Sequence, residues 1–527
     1  MARSIDLDTP LLRLSPKDRF TLRDAMQGVS IMGGIGSGKT SGSGQALASA
    51  YLRAGFGGLV LTAKAEEVAL WRQYCLENGR AASLIHFDGR TPGFNFFAYE
   101  LARLGAQGLN SVIECVMRIL EIARAAAPSP GRPSESFWED TTRQLLRNAI
   151  PILFAATGTV RIEDLLQFVR SAPTAPDQMA DPAWQRQSYF CAAFLNATER
   201  LDDATGSRAV SYWRNDFAML DAKTRGNIVI SLTTALDRFN HGWMRTAFCS
   251  ETTIVPELCF HGAVILMNMP ALTYNEDGII AQQLFKYMWQ RAVLSRNGLA
   301  PAQQERPVFL WADEAQYFIN SYDAEFLSTC RGSRACTVFL SQSLPTYYAK
   351  MGGENARDRV HHLLGNFATR IWHNNACAES NEWAARTLGR TLQTRASYNE
   401  SEGSNSSSGF NLGDGSNWGS NAGSGSSFSF NSGNGGGSSW SAGVSSNHGH
   451  SEGGNDSRGR NRSQGTNESV SRGFNEQMDH MIEPAEFGRM LRTGGPANGG
   501  RVSAIWYQAG RRFEGSGGNA LLAEFRQ

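Results

Sequence analysis

The stretch "GGIGSGKTSGSG", residues 33–44, limits this chain more than any other. Gly33, Gly38, Lys39 and Thr40 satisfy the spacing G-x-x-x-x-G-K-[ST]. Glycines at those positions let the backbone curl until successive N–H groups point inward at phosphate oxygens. A lysine there reaches β- and γ-phosphates, and a Thr hydroxyl holds Mg²⁺. The flanks agree with that use. "GVSIMG" reads as a buried strand, and "SGSGQALASAYLRAG" reads as a helix that ends near Gly55. The start of such a helix adds its dipole to an anion site. Gly33, Gly34, Ile35, Gly36, Ser37, Gly38, Lys39, Thr40 and Ser41 are therefore the candidate nucleotide cradle, with ATP and Mg²⁺ as the expected cofactors.

A phosphate loop alone serves many chemistries, so the rest of the site decides. "VFLWADEAQ" is an apolar strand that ends in two carboxylates, Asp313 and Glu314. At a strand's carboxyl end the first suits Mg²⁺ and the second suits polarisation of an attacking water. The next apolar run, "CTVFLSQS", ends in Gln342, either a γ-phosphate sensor or a polar strand end. Arg331 and Arg334 in "STCRGSRA" are either surface arginines or a finger that reaches a neighbour's ATP. His361, His362 and His373 have no ligand spacing and read as structural. "DEAQ" also suggests a helicase, but some 270 residues separate Lys39 from Asp313 and no second half of that kind follows.

Around these motifs the texture changes four times. Residues 1–100 alternate strand and helix, which implies a parallel sheet and the first part of a nucleotide-binding domain. Residues 101–250 read as an all-α insert. Leu109, Val112, Ile113, Val116, Met117 and Leu120 make one apolar stripe, and Phe137, Trp138, Leu145, Leu146 and Ile150 continue it. Residues 251–395 return to buried strands and complete the nucleotide-binding domain. Residues 396–477 are Ser/Gly/Asn-rich, and the expectation is a disordered segment, ahead of a loose hairpin or a nucleic-acid-binding arm. Residues 478–527 read as a return to the nucleotide-binding domain through a short helix and an edge strand.

Composition excludes more than it selects. Lys and Arg number 50 against 49 Asp and Glu, so no overall basic field advertises nucleic acid. The eight cysteines have no C-x-x-C pairing and read as free thiols of a reducing compartment. The first twenty residues lack a signal-peptide apolar region, and no apolar run approaches a membrane span. A cytoplasmic chain with no direct membrane span is expected, with any attachment to the inner membrane made through a partner.

The order of motifs is more specific than any one of them. It runs from the phosphate loop through "LTAKAEE", "GFNFF", "FWEDTTRQLL", "ILMNMPA", "DEAQ" and "LSQSL" to "LLGNFATRIWHNN". This resembles the type IV secretion coupling proteins, the conjugative DNA-transfer ATPases of the FtsK/HerA superfamily, over roughly residues 15–395 and again from 478. The resemblance implies an α/β, RecA-like fold with a mainly parallel sheet and an inserted all-α domain, assembled as a homo-hexamer. It implies that Lys39 and Thr40 bind the phosphates and Mg²⁺, that Asp313 holds the metal, and that Lys39, Glu314, Gln342 and a trans-acting Arg331 are catalytic. DNA and a relaxase or secretion-channel protein are the implied partners. Residues 62–66 match a "DPKGE"-like strand end only at Lys64 and Glu66, and the membrane helices common in the family have no counterpart here. Two other readings stay open: a HerA-like motor in DNA processing or defence, and a nucleotide-gated docking receptor that pumps nothing.

Overall fold

The computed structural model describes residues 6–126, 135–353, 355–411, 421–432, 438–449 and 459–527. They form two compact units, Met1–Asn381 with Ala485–Gln527, and Glu382–Pro484. The first is built on one sheet. A short hairpin, β1 (Pro10–Arg13) and β2 (Arg19–Thr21), precedes it. The sheet strands are β3 (Val29–Met32), β4 (Gly57–Leu61), β5 (Leu84–Phe87), β6 (Val264–Met267), β7 (Val308–Ala312), β8 (Ala335–Ser341) and β9 (Thr369–Trp372). Every residue of β3, β4, β6, β7 and β8 is buried. Strands covered on both faces need continuous apolar runs rather than alternation, and that is how these segments read.

The nine-stranded order is β15-β14-β9-β3-β8-β7-β4-β6-β5, where β14 is Arg501–Gln508 and β15 is Ala520–Arg526. From β9 to β5 all pairings are parallel. β14 and β15 extend one edge antiparallel. The core beneath gathers Leu47, Tyr51, Trp71, Phe309, Trp311 and Trp506. Trp71 stacks on Phe309 at 5.7 Å and meets Trp311 edge-on at 5.3 Å.

Between β5 and β6 every described regular element is helical, from Phe96–Leu104 to Gly242–Phe248 and the 3-10 turn Pro256–His261. Val112, Ile113, Val116, Met117 and Leu120 are buried as the stripe requires, while Leu109 is only half-buried. Phe137 departs from it and is 45 % exposed, whereas Trp138, Leu145, Leu146 and Ile150 turn inward. An aromatic cluster closes this block: Phe168 lies 4.7 Å from Phe190 and 5.4 Å from Trp213, whose indole N–H donates to Asn148 O at 3.0 Å.

The second unit departs from the expectation of disorder. It carries β10 (Arg390–Asn411), β11 (Asn421–Ser432), β12 (Ser438–Gly449) and β13 (Gly459–His480) in an antiparallel sheet of order β10-β13-β12-β11. The parts of the low-complexity segment between these strands lie outside the described residues. No proline occurs from Arg390 to Glu483, so no ladder donor is missing, and the main chain can pair without an apolar core to direct it. Among the described residues no helix is long and apolar enough to cross a membrane.

A candidate nucleotide site at the carboxyl ends of three strands

β3, β8 and β7 lie side by side and run parallel, so their carboxyl ends open on one edge. Open α/β sheets bind ligands at that edge. The loop after β3, Gln342 after β8 and Asp313–Glu314 after β7 therefore converge.

The loop is shaped by contacts that only glycine tolerates. A Cβ on Gly33 would stand 2.4 Å from Ser37 Oγ and 2.7 Å from His373 Cβ. Gly38 takes φ +81, and its Cβ would stand 2.6 Å from Val502 Cγ2. Gly34 N–H donates to Asn374 O at 2.8 Å, and Gly33 N–H to Ser341 O at 3.2 Å. Ile35 sits in the loop with its side chain 89 % exposed. The chain then enters a π-type turn, Thr40–Gly44, that runs into the helix Gln45–Arg53. Leading N–H groups of a helix lack intrahelical partners, which leaves donors aimed out of the turn. Ser41 Oγ accepts from Gln527 Nε2 at 2.6 Å.

Lys39 and Thr40 face the acidic pair. Thr40 Oγ1 donates to Asp313 Oδ2 at 2.7 Å. These two hard oxygens suit Mg²⁺, which takes one or two protein oxygens and completes its shell with phosphate and water. Among the described residues no group of three or more His, Cys, Asp or Glu could hold a metal without such help. Lys39 Nζ lies 4.0 Å from Glu314 Oε1.

Glu314 is the centre of the site. It is buried and holds a left-handed backbone, φ 48 and ψ 48. A non-glycine residue there carries strain of about 1–3 kcal/mol that the surroundings must hold in place. Four side chains do so. Lys64 Nζ donates to Oε1 at 2.8 Å, Gln316 Nε2 to Oε2 at 2.9 Å, and Gln342 Nε2 to both oxygens at 3.1 and 3.2 Å, with the Lys39 charge beside them. Burial pushes the Glu314 carboxyl up, but Lys64, Gln316, Lys39 and Gln342 together hold it below its usual range. The carboxylate is ionised and held by these donors.

Lys39, Thr40, Asp313, Glu314 and Gln342 are thus brought together, and Gln342 touches Glu314 directly. Arg331 is not among them. It is exposed in the turn Cys330–Ser333, ahead of β8, whereas Gln342 follows that strand. Ten residues lie between them, and the seven that form β8 alone span about 23 Å at strand rise. Arg334 is held by Glu305 O at 2.8 Å.

Sequence reasoning missed three participants. Lys64 was singled out only as a motif match, yet it is the strongest partner of Glu314. Glu66 matched the motif, but it is exposed, and the buried carboxyl is Glu67. Glu67 Oε2 accepts Ala63 N–H at 2.8 Å, and burial with the Asp313 charge raises its pKa to about 8. His373 is wholly buried against the phosphate loop, with Nε2 2.7 Å from Ser43 Oγ.

The fold has solved counterparts. The chain is similar to the bacterial conjugative coupling protein TrwBdeltaN70 in its unbound monoclinic form, with a TM-score of 0.51 and 12% identity over 100% of this chain and 90% of that one. The trigonal form in complex with sulphate gives 0.51 and 12% over 98% and 90%. Plasmid coupling protein TrwB in complex with the non-hydrolysable GTP analogue GDPNP gives 0.50 and 12% over 98% and 90%. No protein-family model matches the sequence, and no curated protein matches it. The chain has the RecA-like fold of a conjugative coupling protein, as the motif order implied.

Proposed function

We propose that this chain is an ATP-driven motor that recruits and moves DNA, or DNA joined to a relaxase, in conjugative transfer. The observation that carries the hydrolytic part is Glu314, ionised, strained and held by Lys64, Gln316 and Gln342 beside Lys39. The fold shared with TrwB supports the transport part.

Residues 33–41 bind the triphosphate through main-chain N–H groups and Lys39. Thr40 and Asp313 would hold Mg²⁺, which supplies charge neutralisation on the β- and γ-phosphates. Glu314 accepts a proton from the attacking water, and Gln342 senses the γ-phosphate because it binds that carboxylate. Arg331 is too far to serve its own protomer, and in a homo-hexamer it acts on the neighbour's nucleotide. DNA contact is with the backbone, with little sequence readout, as the near-neutral charge requires of a local surface.

ATP hydrolysis by the whole chain, with and without DNA at low salt, tests this. DNA-stimulated turnover is expected, with Lys39→Ala losing nucleotide binding. Glu314→Gln keeps binding and loses about 10²–10⁴ in kcat, the range for a positioned general base. Lys39-dependent binding with no turnover, with or without DNA, would overturn the motor and leave a nucleotide-gated docking receptor.

A further inference from the structure

The segment His373-Asn374-Asn375 follows β9, the neighbour of the phosphate-loop strand on the side away from β8. Its position lets it reach both halves of the site. On one side Asn374 O takes the Gly34 N–H at 2.8 Å, and His373 Nε2 lies 2.7 Å from Ser43 Oγ in the turn after the loop. Burial, then the Lys39 charge, pushes the His373 pKa down to about 3, so that contact stays with a neutral ring across ordinary pH. On the other side Asn375 Nδ2 donates to Gln342 O at 2.8 Å. The Asn375 amide is fixed at its other end, since Oδ1 accepts Cys377 N–H at 3.0 Å, and Asn381 Nδ2 donates to Asn375 O at 2.8 Å. Asn374 Nδ2 anchors the segment to Gly488 O at 2.8 Å and Leu491 O at 3.1 Å.

Resting on the hydrolytic reading above, we propose that these three residues are a positioning clamp: Asn375 holds the main chain of Gln342 so that its amide meets Glu314, while His373 and Asn374 hold the phosphate loop in the same frame. The clamp touches neither phosphate nor water, and it acts through Gln342. It ties the phosphate loop and the turn after it to the water-activating carboxylate through one short segment, by the His373 and Asn375 side chains and the Asn374 carbonyl. Movement of the loop on nucleotide binding is thereby passed to the Gln342–Glu314 contact, and the clamp governs turnover more than binding.

The test is a double-mutant cycle in the full chain. Asn375→Asp keeps the acceptor for Cys377 N–H and removes the donor to Gln342 O. Asn375→Ala removes both and is expected to lower Tm as well. Displacement of a reacting group by about 1 Å costs about 10²-fold, so Asn375→Asp is expected to lose about 10²-fold in kcat. Nucleotide affinity stays near that of the wild type, while Tm falls, because a carboxylate oxygen then faces the Gln342 carbonyl at a buried position. In a Gln342→Ala background the same change is expected to do nothing more, because the group it positions is gone. A plain effect of added negative charge, or of a weakened turn, multiplies with Gln342→Ala instead and overturns the clamp. So does wild-type kcat in Asn375→Asp. Absence of Lys39-dependent turnover in the wild type itself overturns the hydrolytic reading and the clamp with it, which separates that failure from the clamp's own.

Discussion

Two glycine- and serine-rich stretches of this chain, residues 33–44 and 396–477, look alike in composition and behave differently. In the first, glycines answer to neighbours: Gly33 lies under Ser37 and His373, and Gly38 takes φ +81 against Val502, while Gly36 is required by its φ of +69 alone. In the second, β10 and β13 pair from Arg390↔His480 to Asn411↔Gly459 without an interruption of register. Little in a run of Ser, Gly and Asn distinguishes one face of a strand from the other, so the register there is weakly specified by sequence. Glycine carries information where packing forbids a side chain and none where it merely omits one.

If side chains decide the site around the first region, stability there must follow their ionisation, including that of groups beside the acidic pair. Glu67 is the strongest case. Its folded pKa is raised to about 8, so the folded chain keeps a proton that the unfolded chain releases near 4.5. Stability therefore falls as pH rises from 4.5 to about 8 and is flat above. Glu67→Gln is expected to remove that decline, on the order of a few kcal/mol, seen as urea midpoints of the metal-free chain at pH 6 and pH 9. A decline that survives the substitution would show that another group carries it. Glu314 has the opposite sign: its folded pKa is lowered, so its contribution is present above about 4.5 and is lost as pH falls further, outside that window.

The next contrast reverses sign between the two stretches. Gly33→Ala places a methyl 2.7 Å from His373 Cβ and is expected to cost about 1–3 kcal/mol and most of the nucleotide affinity. Gly403→Ala, inside β10, is expected to gain about 0.5–1 kcal/mol, because a strand interior loses more conformational entropy at glycine than at alanine. Thermal melts with hydrogen exchange read by region separate the two. Loss of stability in both would end the comparison.

What could be read from the sequence follows the same division. Gly33, Lys39, Thr40, Asp313, Glu314 and Gln342 were legible as one candidate cluster, because a phosphate and Mg²⁺ site would call for those types beyond strand ends, and the structure brings them together. The parallel sheet was legible because strands buried on both faces leave uninterrupted apolar runs such as "VFLWA". Glu67 in place of Glu66 was not, since one residue on a helix turns the side chain by about 100° and only packing fixes the phase. Phe137 fails for the same reason at the end of its stripe. Asn375 and His373 had no local signal, because their partners lie 33 and 330 residues away along the chain. The strands between residues 390 and 480 were hidden by composition, which argued from missing apolar area and did not weigh main-chain pairing.

The smallest expected effect is the most direct test of the contrast. The Ser/Gly/Asn-rich unit leaves and returns at one place: Arg390 pairs with His480, and Met481 N–H donates to Gly389 O at 3.0 Å. Antiparallel strands that begin and end together can be joined by a two-residue turn, for which Asn-Gly has the right backbone twist. Replacement of residues 392–478 by Asn-Gly therefore closes the chain without stretching it. If the nucleotide site is complete in the other unit, basal Lys39-dependent hydrolysis is expected to stay within about twofold, well inside the 1.4 kcal/mol that a factor of ten represents, and the Tm of the remaining unit is expected to hold. DNA stimulation is measured on the same sample. If it disappears while basal turnover stays, the unit belongs to the DNA-handling apparatus; if basal turnover disappears, the site depends on a sheet that supplies none of its catalytic side chains, and the division between the two stretches is wrong.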